Sequence, residues 1–195
     1  SGGGYRLYFE NLRNKPLFIV NGEKDPLYPV SSVAPFMKVL VDAGVEHEFV
    51  PIPGGGHNLN WMPSQAAAIQ SFKEKNPRVP LPDSIQWVAD RTDIYNRNHW
   101  LRIDSRAGFD SPAVVAAKRD SNRIVLDTVG GDALTLLISP DQFDFGRPLE
   151  VIADGERVFE GELTLDEFVM LDWMAIDLDR SVLFAAELNL KIKPR

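Results

Sequence analysis

The sequence predicts a chain in two parts: an α/β segment over residues 1–76 and an all-β, Ig-like sandwich with one inserted helix over residues 99–195. Three observations predict this division. Apolar runs alternate with amphipathic helix patterns in the first part, which is typical of an α/β sheet. Three prolines then cluster in a junction over residues 77–98. Short strand patterns separated by turn residues follow, as in an antiparallel sandwich.

The α/β segment is predicted to contain two strands and two helices in alternation. The run at residues 17–20 is wholly apolar, as expected for a strand buried on both faces of a parallel sheet, and a second strand covers residues 47–52. The helix between them fits residues 32–43 with Ser32 as N-cap, and Ser64 is predicted to cap the next helix. The apolar residues of the two helices are Val33, Phe36, Met37, Leu40 and Val41, and Ala67, Ala68, Ile69 and Phe72. Since two strands alone do not make a stable sheet, we expect further strands from upstream sequence or from another chain.

The all-β part is predicted from short apolar segments and turn residues. Strands are expected at residues 100–103, 114–118, 123–129, 134–139, 149–153 and 157–162. Residues 129–132 and the pair Asp154-Gly155 are predicted hairpin turns, because Gly and Asp accept positive φ. Thr164 and Glu167 are predicted to form a capping box for the inserted helix. Apolar residues alternate over 182–192, which predicts a last strand with one buried face.

The composition limits the classes of function. Hydrophobic residues make up 44% and charged residues 25%, the balance of an ordinary globular protein. The net charge of -7 disfavours nucleic acid as a partner, and no apolar run is long enough to cross a membrane. The lack of cysteine excludes disulfides and thiolate chemistry, but it leaves the compartment open. Because the acidic residues show no metal-ligand spacing, neither a metal nor a cofactor is expected.

Asp25 and His57 are the informative pair of residues. Asp25 follows the first predicted strand, and His57 follows the second, in the glycine-rich loop at residues 53–57. Functional groups of an open α/β sheet collect at the carboxyl ends of its strands. Neighbouring strands would bring the two side chains to the same edge, at a strand spacing of about 5 Å. A carboxylate there can accept the Nδ1–H bond of the imidazole and leave Nε2 free to act as a base.

Residues 16–74 resemble the end of an α/β-hydrolase core, with an acid loop, a helix, a strand and a histidine loop in the family's order. Asp25 with Pro29 resembles the acid loop of dienelactone-hydrolase-like and depolymerase-like esterases, and Pro53-Gly54-Gly55-Gly56-His57-Asn58 resembles their histidine loop. The resemblance implies a serine hydrolase, either an esterase or a peptidase, in which Asp25 orients His57. The family's G-x-S-x-G motif is absent from these 195 residues, so the nucleophile and the oxyanion hole are expected upstream. The isolated chain is therefore expected to be inactive.

The two ends of the chain resemble this family less specifically. Residues 1–4, Ser-Gly-Gly-Gly, resemble a turn that such enzymes carry beyond the nucleophile. Ser1 itself is a poor choice of nucleophile, because a terminus cannot hold a strained elbow. Residues 99–195 resemble a β-rich extension found on some bacterial esterases and peptidases.

Several residues in the candidate site have alternative interpretations. Glu23 is nearer to the strand end than Asp25 and is a rival acid, while Asp25 also fits a simple turn residue. His57 is alternatively an exposed loop histidine. Trp61 and Met62 are predicted either to line the substrate pocket or to pack against the core.

The alternative function is a binding or interaction module attached to a vestigial hydrolase segment. Trp87, Trp100 and Trp173 suggest a glycan platform, although their patterned surroundings favour core packing. A further alternative is a pseudoenzyme in which two chains join as a homo-oligomer through the incomplete sheet. The other histidines, His47 and His99, are predicted to have packing or surface roles. The substrate is left open beyond a small-molecule or peptide ester or amide.

Overall fold

A computed structural model describes residues 7–108 and 110–193 of the chain. Within them the protein is mixed α/β and mostly sheet, with three α-helices. The chain divides into two compact units between Val79 and Pro80. No helix in the described part of the chain is both long and apolar enough to span a bilayer. The mixed α/β class predicted from the sequence is confirmed at this level.

The first unit alternates strands and helices in the predicted order. A short 3-10 helix at Phe9–Leu12 is followed by β1 (Leu17–Gly22), α1 (Val30–Asp42), β2 (His47–Ile52) and α2 (Met62–Lys75). Strands β1 and β2 pair in parallel over their whole length, from Leu17 opposite His47 to Gly22 opposite Ile52. The carboxyl ends of both strands therefore lie at one edge of the sheet.

Both predicted serine caps are wrong, for one physical reason. Helix α1 begins at Val30, and the Ser32 hydroxyl donates to the Pro29 carbonyl at 2.8 Å. Helix α2 begins at Met62, and the Ser64 hydroxyl donates to the Trp61 carbonyl at 2.7 Å. Each serine lies within the first turn and bonds back three residues instead of accepting from the amides ahead of it.

Burial in β1 is lower than the sequence predicts. Residues 17–21 are half-buried, and only Gly22 is buried, although the run was expected to be covered on both faces. Among the described residues, β1 has β2 as its one strand neighbour, which leaves one edge of the strand without a partner strand. Phe18 packs against Phe72 of α2, with ring centroids 5.4 Å apart.

The helices of the first unit bury narrower faces than predicted. Leu40 of α1 and Phe72 of α2 are buried, with 3% and 9% of their surfaces exposed. Phe36 and Val41, predicted for the apolar face of α1, are instead 50% and 65% exposed. Ala67 and Ala68 of α2 are exposed as well.

The second unit contains two sheets around one hydrophobic core. Its strands are β3 (Ser84–Ala89), β4 (Arg97–Asn98), β5 (Leu101–Arg106), β6 (Ala113–Asp120), β7 (Arg123–Val129), β8 (Gly131–Ile138), β9 (Leu149–Ala153), β10 (Glu156–Gly161) and β11 (Ala186–Lys191). One sheet has the order β10-β9-β7-β6-β3 and the other has the order β11-β8-β5-β4. Side chains from both sheets form a single buried cluster, which includes Val115 and Leu126 from the first sheet and Leu101 and Leu136 from the second.

The structure differs from the predicted junction and from one predicted hairpin. Residues 77–98 contain β3 and β4, and β3 pairs with β6, so the stretch from Ser84 onward contributes to the second unit's sheets. The turn at residues 129–132 connects β7 and β8, which lie in different sheets, so it is a corner rather than a hairpin. Asp154-Gly155 does join the paired strands β9 and β10, with φ values of 55° and 86°, as predicted.

Helix α3 (Glu167–Asp177) is the predicted inserted helix, but its cap differs from the prediction. Asp166 is the N-cap, and its Oδ1 accepts bonds from Phe168 N–H at 2.8 Å and Val169 N–H at 3.3 Å. Thr164 therefore lies outside the cap, because the aspartate two residues later supplies the acceptor for the first-turn amides. After α3, apolar residues alternate as predicted, although the regular strand covers only Ala186–Lys191.

The tryptophans of the second unit have packing roles. Trp100 is fully buried and donates its indole N–H to the Pro82 carbonyl at 2.7 Å. Trp173 is 7% exposed, and the Arg97 guanidinium carbon lies 4.5 Å from its ring centroid. Trp87 packs against the same core. Since a glycan platform needs an open aromatic face, the buried Trp100 and Trp173 do not provide one, and Trp87 is half-buried.

Candidate active site

The side chains of Asp25 and His57 meet at the carboxyl edge of the β1–β2 sheet. The Nδ1 atom of His57 lies 2.8 Å from Oδ2 of Asp25, across 32 residues of sequence. Because a carboxylate only accepts, Nδ1 carries a proton in this pair, and in the neutral ring Nε2 then carries the lone pair. The side chain of Asp25 is 8% exposed and that of His57 is 53% exposed. The predicted proximity is confirmed, and the catalytic role of the pair stays a prediction.

The other oxygen of Asp25 is fixed by the main chain. Oδ1 accepts bonds from the N–H groups of Leu27 and Tyr28, each at 2.8 Å. The side-chain amide of Asn21 donates to the Tyr28 carbonyl and closes the loop after β1. Asp25 is thus a turn residue and the hydrogen-bonding partner of His57 at the same time, so its place in a turn does not exclude the pairing.

These contacts also set the pKa of Asp25. Burial raises the pKa of this carboxyl, but bonds from the Tyr28 N–H, the His57 ring and the Leu27 N–H lower it by more. The net result is a pKa below the usual 3.8. Asp25 is therefore held as the carboxylate, which is the form that orients an imidazole.

The histidine loop packs against the end of β1 so closely that no side chain fits between them. A Cβ atom on Gly22 would lie 2.7 Å from the Gly56 carbonyl oxygen and closer still to that of Gly55. Only glycine permits this approach of the two main chains. Gly54 has φ +66°, so the loop turns through a conformation that other residues rarely adopt. Glycine at positions 22 and 54 therefore allows the loop that carries His57 to lie close to Asp25.

A cavity of about 410 Å³ opens beside the pair. Its lining consists of Val20, Asn21, Gly22, Asp25, Tyr28, Val33, Gly56, His57, Asn58, Leu59 and Trp61. Trp61 lines this cavity, while Met62 is outside the lining and 46% exposed, and the role of Trp61 in binding a substrate stays a prediction. None of the described lining residues is a serine or threonine. The titratable groups in the lining are Asp25, His57 and the phenol of Tyr28.

The remaining candidates have other contacts. Glu23, the rival acid, accepts a hydrogen bond from the Gly54 N–H at 3.0 Å, whereas His57 is bonded to Asp25. His47 and His99 direct Nδ1 to the carbonyls of Val45 and Pro80, each at 2.9 Å. The described residues include no group of three or more His, Asp or Glu side chains that could hold a metal ion. Residues 1–4, with Ser1, lie outside the described residues.

Sequence reasoning missed Asn21, Gly22 and Tyr28 as parts of the site. An Asn-Gly pair after a strand normally indicates a local turn, so it does not reveal contacts with a loop 30 residues later. Comparison of the chain with models of known families, with curated proteins and with solved structures gives no match. The chemistry of Asp25 and His57 therefore carries the functional inference.

Proposed function

We propose that this chain supplies the acid and the histidine of a Ser-Asp-His triad in a serine hydrolase that cleaves esters or amides. One observation carries the proposal. Asp25 and His57 follow adjacent parallel strands, and their side chains meet at 2.8 Å with Nδ1 bonded and Nε2 available. This is the arrangement in which an imidazole takes a proton from a serine hydroxyl.

The wider resemblance to an α/β-hydrolase core supports the same function. Acid loop, helix α1, strand β2 and histidine loop follow one another in the order expected for that family, after a nucleophile encoded earlier. The G-x-S-x-G motif is absent from the 195 residues, so in this proposal the nucleophile and the oxyanion donors come from sequence outside this chain.

Each residue then has a defined step. Nε2 of His57 takes the serine proton as the oxygen attacks the carbonyl carbon, and it gives that proton to the leaving group when the carbon–heteroatom bond breaks. Asp25 keeps the proton of the ring on Nδ1 and balances the imidazolium charge. In the second half, His57 removes a proton from water, whose oxygen attacks the acyl carbon, and returns it to the serine. Trp61 and the apolar walls beside it would contact a neutral part of the substrate.

Labelling by a fluorophosphonate probe tests the proposal. The test protein is this chain extended upstream to include the serine. His57→Ala should abolish the labelling, because the serine then lacks its base, while His47→Ala should leave it intact because His47 is bonded to Val45. Equal labelling of the wild-type protein and His57→Ala would refute the proposal.

The alternative proposal treats the second unit as a β-sandwich interaction module. Exposed apolar side chains on α3 and directly after it favour this proposal: Phe168 is 79% exposed, Leu171 60%, and Leu178, which follows the helix, 85%. Exposed apolar surface is typical of binding sites when its side chains adjoin one another. A glycan array and a partner capture with residues 80–195 test it, with Phe168→Asp as the variant expected to lose binding. A lack of binding in both assays, or binding that Phe168→Asp leaves unchanged, would contradict this alternative.

A further inference from the structure

Glu23 forms a contact between the acid loop and the histidine loop that is separate from the Asp25–His57 pair. Its Oε2 atom accepts a hydrogen bond from the Gly54 N–H at 3.0 Å. Two main-chain bonds lie beside it: the Glu23 N–H donates to the Ile52 carbonyl at 3.0 Å, and the Lys24 N–H donates to the Gly55 carbonyl at 2.8 Å. The side chain of Glu23 therefore adds a hydrogen bond between two loops that main-chain hydrogen bonds already join.

The histidine loop needs such an external contact. Gly54, Gly55 and Gly56 precede His57 directly, and glycine loses more conformational freedom on ordering than any other residue. A Cβ atom on Gly54 would have no atom within 4 Å, so side-chain packing does not hold this residue. A hydrogen bond from its N–H to a carboxylate is charge-assisted and is among the stronger bonds available to such a loop.

We infer that Glu23 is a positioning residue, which holds the histidine loop so that the His57 ring stays hydrogen-bonded to Asp25. The inference rests on the proposed function of that pair and adds a residue to it. Glu23 acts through the main chain of Gly54 and does not touch His57, so it is distinct from the rival acid that its sequence position suggests.

Loss of this bond increases the population in which the loop is displaced and the His57 ring has left Asp25. A net hydrogen bond of ordinary strength changes such a population by about two- to tenfold. The displaced ring has no carboxylate at Nδ1, so the proton redistributes between its two nitrogens. The tautomer of His57 thus reports the position of the loop without any need for turnover.

The test measures the Nδ1 and Nε2 chemical shifts of His57 by long-range ¹H–¹⁵N correlation in this chain. We expect the Nδ1–H tautomer to dominate in the wild type, and Asp25→Ala gives the value without the carboxylate. Glu23→Ala should move the shifts toward those of Asp25→Ala. Glu23→Gln, which keeps an acceptor oxygen, should stay near the wild type. Glu48→Ala is the matched control, since Glu48 is an exposed carboxylate on β2.

Wild-type shifts in a folded Glu23→Ala protein would overturn the inference. If Asp25→Ala also leaves the tautomer unchanged, the pairing itself is wrong, and the proposed function falls with it. Amide exchange of Gly54 in the wild-type chain gives an independent measurement that needs no variant. A protected amide is expected, and an amide that exchanges as fast as an unbonded one would overturn the role of Glu23.

Discussion

The carboxylate of Asp25 has a different partner on each oxygen. Oδ1 is bonded by two main-chain amides and Oδ2 by His57, so the turn and the pair stabilise the same conformation of one side chain. The sequence predicts the pair, because Asp25 and His57 each follow a strand. It does not predict the division between the oxygens, because that depends on how the main chain folds back after Asp25.

The lowered pKa of Asp25 predicts how stability changes with pH. The folded protein binds a proton at Asp25 less readily than the unfolded chain, whose carboxyl has the usual value of 3.8. This contribution to stability is therefore complete above pH 3.8 and is lost as the pH falls through the lower pKa of the folded state. Carboxyl ¹³C shifts should give a midpoint below 3.8 for Asp25, and a midpoint at or above that value would contradict the geometry.

Substitution of Gly22 tests the close approach of the two loops. Gly22→Ala places a Cβ atom 2.7 Å from the Gly56 carbonyl oxygen, so the histidine loop must move. We expect a loss of about 1–3 kcal/mol in the free energy of unfolding, as for other overpacked sites. Urea unfolding measures this loss. Gly108→Ala is the control, because a Cβ atom there has no neighbour within 4 Å, and equal costs for the two variants would count against this role of Gly22.

At the scale of elements, the sequence predicts the strands and helices well where periodicity is strong. Strands β2, β7 and β9 have the predicted bounds, and β1 begins at the predicted residue but extends to Gly22, beyond the predicted end at Val20. Strand β3 was missed because it comes directly after three prolines, which favoured a junction. The sheet assignment of β7 and β8 was also missed, since a Gly-Gly turn fits a hairpin and a corner between sheets equally well.

The cap of α3 gives a prediction at this scale. Asp166→Ala removes the acceptor of the Phe168 and Val169 amides and should cost about 1 kcal/mol of stability. Thermal or urea unfolding of the whole chain measures the change. Thr164→Ala should cost less, because Thr164 lies outside the cap. A larger cost for Thr164→Ala would restore the capping box predicted from the sequence.

We expect chains to associate through the edge of β1 that faces away from β2. The N–H groups of Leu17 and Glu23 bond to the β2 side, so by alternation that of Val20 faces the other edge. An edge of this kind pairs readily with a further strand, and light scattering should show concentration-dependent association. Val20→Pro removes one edge donor and should reduce the association. A chain that is monomeric at every concentration would contradict this prediction.

At the scale of the whole molecule, the chain is two compact units with different chemistry. The unit before Pro80 contains Asp25 and His57, and the unit after Val79 contains the larger core. The sequence predicts this separation because strand–helix alternation changes to short strands near the prolines. It cannot predict the substrate, because in the proposed enzyme the nucleophile and the oxyanion donors lie outside these residues.

Steady-state ester hydrolysis by the upstream-extended protein tests the central claim most directly. With Asp25 and His57 as acid and base, Asp25→Asn should lower kcat/KM by about 10⁴-fold, as the loss of a triad acid does elsewhere. His57→Ala should lower it at least as much, His47→Ala should leave it unchanged, and this chain alone should show no turnover. Undiminished kcat/KM in Asp25→Asn and His57→Ala would contradict the claim.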